Sequence, residues 1–138
     1  MIKTGLTALR SVVVCSSKRF KDNVKIFCDE LHRLGVTVYE PSIITPISES
    51  EFIHSEYITA KVFKGLTLEH FEWIRKADAC FIFNKNDYVG ISTSMEMAFA
   101  QALGKPIFAL SPRTGDPCRD SLIDKTATSP KELIRLLV

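Results

Sequence analysis

Residues 78–110, DACFIFNKNDYVGISTSMEMAFAQALGKPIFAL, contain the pattern that decides the fold. The apolar run 78–83 is typical of a buried strand, and residues 92–103 have the composition of a helix that Gly104 ends. A second apolar run follows at 106–110. A strand, a helix and a strand in this order predict a right-handed crossover between parallel strands.

The flanking sequence continues this alternation of strands and helices. Apolar residues three and four apart predict helices over 20–34 and 67–77, and Ser129-Pro130 predicts the start of a last one. Further strands are predicted at 11–15, 36–39 and, more weakly, near 121–126. Between these elements, residues 41–65 are predicted to form a long connection with a helical turn near 51–60.

Together these elements predict one α/β domain over residues 1–138. We expect a doubly wound, flavodoxin-like three-layer fold with a five-stranded, mostly parallel sheet in the order 2-1-3-4-5 and helices on both faces. Ligands of such sheets bind at the carboxyl ends of the strands, so the loops after the first and third strands become the candidate site.

The composition limits the possible partners. A net charge of +2 on 138 residues is too small to predict binding to a nucleic acid polymer or to an anionic membrane. No run of about 20 apolar residues predicts a membrane span, and the first residues lack a signal-peptide core, so we expect a cytoplasmic protein. The chain also lacks a GxGxxG or Walker pattern, which disfavours NAD or ATP as the main ligand.

The four cysteines lack the spacing of a metal site. Three of them lie in apolar segments and are expected to be buried free thiols, whereas Cys118 lies in a polar loop. The cysteine spacing therefore predicts no metal site, and no metal or organic cofactor is implied by the sequence.

The loop after the third strand carries three hydroxyl residues and a glutamate, and two interpretations fit it. Thr93 and Glu96 have the spacing of a capping box, a common device at helix starts. Alternatively, a helix start facing the crevice suits an anion, and a carboxylate there can act as a nucleophile.

Residues 88–106, YVGISTSMEMAFAQALGKP, resemble the signature of the nucleoside 2-deoxyribosyltransferase family, which includes the deoxynucleoside 5′-monophosphate N-glycosidases. Residues 68–78, LEHFEWIRKAD, are similar to the helix that precedes the third strand in that family, and a looser resemblance runs from the first strand to about residue 112. The resemblance implies cleavage of the N-glycosidic bond of a nucleoside or nucleoside 5′-monophosphate, by hydrolysis or by base transfer. It places Glu96 at the position of the nucleophile, and we expect the helix dipole to keep that carboxylate ionised.

His70 departs from the family pattern, which usually has aspartate at this position. A histidine can serve as the acid–base partner of Glu96, with an inflection in activity near pH 6–7. It can also be an exposed helix residue, or mark an altered activity.

The resemblance also implies several contacts to substrate. The first loop lacks the usual glycine and offers Ser16, Ser17 and Arg19 to a 5′-phosphate. The remaining candidates for sugar, base or phosphate contacts are Tyr39, Asp87, Gly90, Ser92 and Ser94.

Two alternatives to an enzyme stay open. The departures at residue 70 and in the first loop fit a nucleotide-binding or sensor domain that has lost catalysis. A flavodoxin-like interaction module without a small ligand is the weaker alternative. Under any of these, the apolar residues around helix 92–103 predict a homodimer or a higher homo-oligomer.

Overall fold

The computed structural model describes residues 11–41 and 56–138. Within them, one sheet has five strands in the order β2-β1-β3-β4-β5, and all four pairings are parallel. The strands are β1 (Ser11–Cys15), β2 (Thr37–Tyr39), β3 (Ala79–Ile82), β4 (Ile107–Ala109) and β5 (Lys125–Thr126). This confirms the predicted fold class and strand order.

The described residues form five α-helices around this sheet: α1 (Lys21–Arg33), α2 (Glu56–Lys76), α3 (Ile91–Ala102), α4 (Pro117–Asp120) and α5 (Pro130–Leu136). As predicted, Ser129 caps the last helix, with its side chain accepting a hydrogen bond from the Glu132 amide, and Pro130 is the first helical residue. None of the helices in the described ranges is long and apolar enough to cross a membrane.

The sheet separates two hydrophobic cores, because successive side chains of each strand point to opposite faces. Val12, Val14 and Phe81 pack on one face against α1 and α5. Val13, Cys15 and Ile82 pack on the other face against α2 and α3. The inner strands are therefore buried on both faces, as their nearly continuous apolar sequence predicts.

Helix α2 differs most from the prediction, because it already includes Glu56, the first residue of this described range, whereas the sequence predicted a helix only from residue 67. The helix passes through Gly65 despite the low helix propensity of glycine. The apolar spacing that predicted this helix holds for Ile74, which is buried, but not for Leu68, which is 53% exposed; His70 faces inward as well. The predicted helical turn covers residues 51–60, and only residues 56–60 lie within the described ranges.

Asn84 joins the carboxyl ends of β3 and β4. Its fully buried side chain donates to the carbonyl oxygens of Ser111 and Arg113 at 2.9 and 2.7 Å and accepts from the Ser111 amide at 2.9 Å. Because a buried amide without these partners would be costly, the contacts fix the two loops that border the predicted crevice.

The cysteines follow the prediction, since Cys15, Cys28 and Cys80 are buried free thiols and Cys118 is exposed.

Candidate active site

Three side chains that are distant in sequence meet at the carboxyl end of β1. His70 Nε2 lies 3.2 Å from the Sγ of Cys15, the last residue of β1, and 3.5 Å from Oε1 of Glu96. The Cys15 sulfur also lies within 4.8 Å of a Glu96 carboxyl oxygen, close enough for the thiol to interact with it. Glu96 and His70 were predicted from the sequence as partners, and the structure brings them into contact. Cys15 was not predicted as part of this cluster.

The packing of α2 against α3 accounts for this contact. Phe71 of α2 and Phe99 of α3 stack with their ring centroids 4.5 Å apart, and the Arg75 guanidinium lies 5.0 Å from the Phe99 ring centroid. His70 precedes Phe71, and Glu96 lies almost one helical turn before Phe99. The apolar contact therefore holds both polar side chains at the seam between the helices and the sheet.

Burial determines the charge of Glu96. Only 15% of its side chain is exposed, and desolvation raises its pKa to about 8, with the hydrogen bond from Cys15 opposing the shift. The expectation that the helix dipole keeps this carboxylate ionised is therefore wrong for the free protein, because the loss of water outweighs the helix field.

Burial acts on His70 in the opposite direction. It lowers the pKa of the imidazole to about 4, with the nearby charge of Glu69 opposing the shift. The interpretation as an exposed helix histidine is wrong, and so is the expected titration near pH 6–7. Near pH 7 both partners are uncharged, so their contact is not an ion pair.

The capping-box explanation of Glu96 is also wrong. The N-cap of α3 is Gly90, with no side-chain capping bond, and Thr93 is buried inside the helix. Helix α3 thus begins earlier than Ser92, and the Glu96 side chain is directed to Cys15 and His70 rather than to the helix start.

The predicted phosphate loop lies directly after Cys15. The Ser17 side chain caps a short 3₁₀ turn, Lys18–Phe20, by accepting from the Arg19 amide at 3.3 Å. Ser16 donates to the carbonyl oxygens of Ser17 and Phe83, at 3.1 and 3.3 Å. The Arg19 guanidinium stacks 3.5 Å from the centroid of the Tyr88 ring.

A second polar group surrounds the start of α3 and contains a cation that the sequence analysis missed. The Ser94 hydroxyl donates to the Gly90 carbonyl at 2.8 Å and accepts from Nη1 of Arg119 at 2.8 Å. Arg119 also donates to the Thr114 carbonyl, and its buried Nε has no partner among the described residues. Arg119 lies on α4, well beyond the end of β4, and no local pattern in the sequence pointed to it.

The other candidates lie around this edge with different surroundings. Tyr39 stacks on Trp73 at 6.2 Å between ring centroids, and Trp73 meets the His70 ring edge-on at 5.8 Å. The Asp87 carboxylate accepts a hydrogen bond from the Ser111 hydroxyl, and Ser92 is exposed in the first turn of α3.

Buried Cys15 and His70 and partly buried Glu96 include the kinds of donor atom that hold metal ions in proteins. The Cys15 sulfur, a His70 ring nitrogen and a Glu96 oxygen all lie within 4.8 Å of one another. The described residues contain no other such group of three.

Known structures resemble this chain over most of its length. A 2-deoxyribosyltransferase from the psychrotolerant bacterium Bacillus psychrosaccharolyticus matches with a TM-score of 0.62 and 23% identity, over 90% of each chain. A conserved protein from Enterococcus faecalis V583 matches with a TM-score of 0.60 and 12% identity, over 93% of this chain and 96% of that one. The chain shares their fold. No family model and no curated protein matches the sequence.

At these identities the likeness concerns the fold. The resemblance inferred from residues 68–78 and 88–106 is thereby confirmed at the level of the fold, which places the two segments on α2 and around α3.

The raised pKa of Glu96 predicts a pH-dependent effect of Glu96→Gln on stability. The folded state holds the Glu96 proton up to about pH 8, whereas the unfolded chain releases it near pH 4.5, so the stability that this proton contributes is lost as pH rises between these values. Glutamine has no proton to lose. The stability of the variant relative to wild type should therefore increase from pH 4.5 to 8, as measured by urea unfolding with a chelator present. A constant difference would show that Glu96 has an ordinary pKa.

Proposed function

We propose that the protein cleaves the N-glycosidic bond of a nucleoside or nucleoside 5′-monophosphate, with Glu96 as the nucleophile. The observation that supports this best is the buried contact between Glu96 and His70 at the carboxyl end of β1. The chain shares its fold with a 2-deoxyribosyltransferase. The resemblance of residues 88–106 to the family signature implies that Glu96 stands at the position of the nucleophile. Neither capping nor an ion pair explains why this carboxyl group is buried.

In the proposed first step, one proton moves twice: from Glu96 to His70 and then from His70 to the leaving base. In the tautomer that carries hydrogen on Nδ1, His70 Nε2 accepts the proton of Glu96. The carboxylate attacks the anomeric carbon as the bond to the base breaks, and His70 passes the proton to the leaving base. The products are the free base and a glycosyl ester of Glu96, through an oxocarbenium-like transition state.

Water or a second base completes the cycle. In hydrolysis, water adds its hydroxyl group to the anomeric carbon and returns its proton to Glu96. In base transfer, the nitrogen of an incoming base takes the place of that hydroxyl. The Glu96 side chain is 15% exposed, which leaves a way for either acceptor to reach the ester.

The proposal also includes a subsite that recognises a 5′-phosphate. The first loop presents Ser16, Ser17 and Arg19 next to Cys15, and a phosphate there would draw Arg19 from the Tyr88 ring to its oxygens. Gly90, Ser92 and Ser94 provide hydroxyl and backbone groups at the start of α3, with Arg119 as an additional cation. Tyr39 and Asp87 remain candidates for contacts to base and sugar.

A sensor domain that binds nucleotides without turnover is the second candidate function. The low pKa of His70 favours this second function. An imidazole with a pKa of about 4 is rarely protonated near pH 7, so it is rarely available as a general acid. Ligand-dependent stabilisation without release of free base would identify this function.

We also infer that the chain acts as a homodimer or larger homo-oligomer in the cytoplasm. Apolar side chains remain exposed on α2 and α3, among them Tyr57, Phe63, Leu68, Ile91 and Met95. A second copy of this surface would remove them from water.

Glu96→Gln is expected to abolish base release without unfolding the protein. An amide cannot form the glycosyl ester, so turnover should fall by about three orders of magnitude or more, while the neutral side chain suits the buried position. The measurements are free base by chromatography, over a panel of nucleosides and 5′-monophosphates, and the melting temperature. Glu72→Gln makes the same change at an exposed glutamate of α2 and is the control. It should leave both base release and the melting temperature unchanged. Undiminished base release by Glu96→Gln would exclude the residue from the mechanism.

The pH profile tests the shared proton. The pair holds one proton between the His70 pKa of about 4 and the Glu96 pKa of about 8, so kcat/KM should fall below the first value and above the second. His70→Ala should lower turnover by about 10²–10⁴-fold, the usual contribution of acid–base catalysis. Activity that keeps rising above pH 8 would show that catalysis needs no proton from this pair.

Arg19→Ala tests the phosphate subsite. Binding of a 5′-monophosphate should weaken by about 1.5–3 kcal/mol, the scale of a charge-assisted hydrogen bond, and binding of the matching nucleoside should barely change. Calorimetry of both ligands on both proteins gives the comparison. Equal losses for the two ligands would assign Arg19 to loop stability through its Tyr88 contact.

The oligomer is tested by light scattering at micromolar concentration. The protein should show at least twice the chain mass of 15.5 kDa, and Leu68→Glu should shift it towards the monomer because it places a charge in the proposed interface. Ile26→Glu alters an even more exposed apolar residue on α1, across the sheet, and should have no effect. A wild-type monomer would refute the inference.

A further inference from the structure

We propose that Cys15, His70 and Glu96 bind one zinc-type divalent cation, in a three-ligand site whose fourth position opens to the crevice. The proposal rests on the donor atoms of these residues and on their separations, and it is independent of the N-glycosidase function. The sequence analysis expected no metal, because the three residues lie far apart in the chain and none of the cysteine spacings is typical of a metal site.

The separations between donor atoms suit a tetrahedral ion. Zinc bonds of about 2.3 Å to sulfur and about 2.0–2.2 Å to nitrogen and oxygen place neighbouring ligand atoms roughly 3.4–3.6 Å apart. The sulfur and nitrogen of Cys15 and His70 are 3.2 Å apart, and the nitrogen and oxygen of His70 and Glu96 are 3.5 Å apart. All three donor atoms lie within 4.8 Å of one another, so rotation of the terminal carboxyl group can complete the site.

The ligand set also balances the charge. A thiolate, a carboxylate and a neutral imidazole carry two negative charges, which cancel those of a divalent cation. The complex is neutral overall, which reduces the cost of placing an ion in a buried site. Binding releases the thiol proton, and the Glu96 proton where it is present, to solvent.

The donor types select the class of ion. Sulfur and imidazole nitrogen suit zinc and chemically similar cations, whereas magnesium and calcium prefer sites made of oxygen ligands. Three protein ligands with one open position are typical of zinc sites that bind water or substrate. Glu96 is the most exposed of the three side chains, so a fourth ligand would enter beside it.

A bound ion would also control the proposed chemistry. An ion coordinated by the Glu96 carboxylate keeps that group from attacking an anomeric carbon. Occupancy of the site and covalent catalysis therefore exclude each other.

The test is titration of the untagged, fully reduced protein with Zn²⁺ by calorimetry and with Co²⁺ by absorption. We expect one ion per chain and a cobalt spectrum with a thiolate charge-transfer band and tetrahedral visible bands. Cys15→Ser should remove the charge-transfer band, and both Cys15→Ser and His70→Ala should weaken Zn²⁺ binding at least about 100-fold, since each loses a direct ligand. Glu96→Gln removes the third ligand and provides an independent variant should a substitution at Cys15 prevent folding.

Cys28→Ser and Cys118→Ser are matched controls, one buried against the opposite face of the sheet and one exposed. Both should keep the affinity and the spectrum. Zn²⁺ binding no tighter than about 1 mM by the wild type, unchanged binding in the ligand variants that fold, or loss of the cobalt band in Cys118→Ser would overturn the proposal. None of these readouts uses base release, so the metal site and the glycosidase function succeed or fail separately.

Discussion

Burial of the Glu96 carboxyl group is the constraint on which the site depends. A carboxyl group taken from water favours its protonated form, and the neighbouring imidazole, buried in the same place, favours its neutral form. The result is a Glu96–His70 pair that holds a single proton over a wide pH range, with the Cys15 thiol in contact with both partners. A solvated glutamate at the same position would give up its proton near pH 4.5 and have none to lend to a leaving base.

The sheet and the two helices provide this burial at a defined place. The last residue of β1 lies at the carboxyl edge of a parallel sheet, where strand ends and helix starts converge. The stacked Phe71 and Phe99 rings bring α2 and α3 together above it. Asn84 ties the ends of β3 and β4, so the loops on the other side of the crevice are equally fixed. Rigid elements on both sides are what a reaction with two partners and a shared proton requires.

The sequence predicted the architecture because strand burial and helix periodicity are local properties. The runs 11–15 and 78–83 identified the central strands, and Ser129-Pro130 identified the start of α5. The inward position of His70 on α2 was not predictable in this way: Leu68 is the more apolar residue and is exposed, yet His70 faces inward because it has partners on β1 and α3. Those partners lie on other elements, so the spacing of apolar residues around residue 70 contains no information about them.

The same distinction between local sequence patterns and contacts across the fold applies to the site. Glu96 and His70 were found from motifs within single segments, whereas Cys15 and Arg119 acquire their importance only through contacts across the fold. The charge states of Glu96 and His70 were predicted wrongly for a related reason. The pKa of an ionisable group depends on its burial, and burial here results from the packing of three elements. A capping box at Thr93 was equally plausible by spacing, until the helix start at Gly90 excluded it.

The most direct measurement is a search for the covalent intermediate on Glu96. A nucleoside or nucleotide with fluorine at C2 of the sugar destabilises the oxocarbenium-like transition state and slows breakdown of the glycosyl ester. Mass spectrometry of the digested protein should find one fluorinated sugar, or sugar phosphate, on the peptide that contains Glu96, together with one equivalent of released base. Label on a different residue, or undiminished labelling of the Glu96→Gln variant, would contradict Glu96 as the nucleophile.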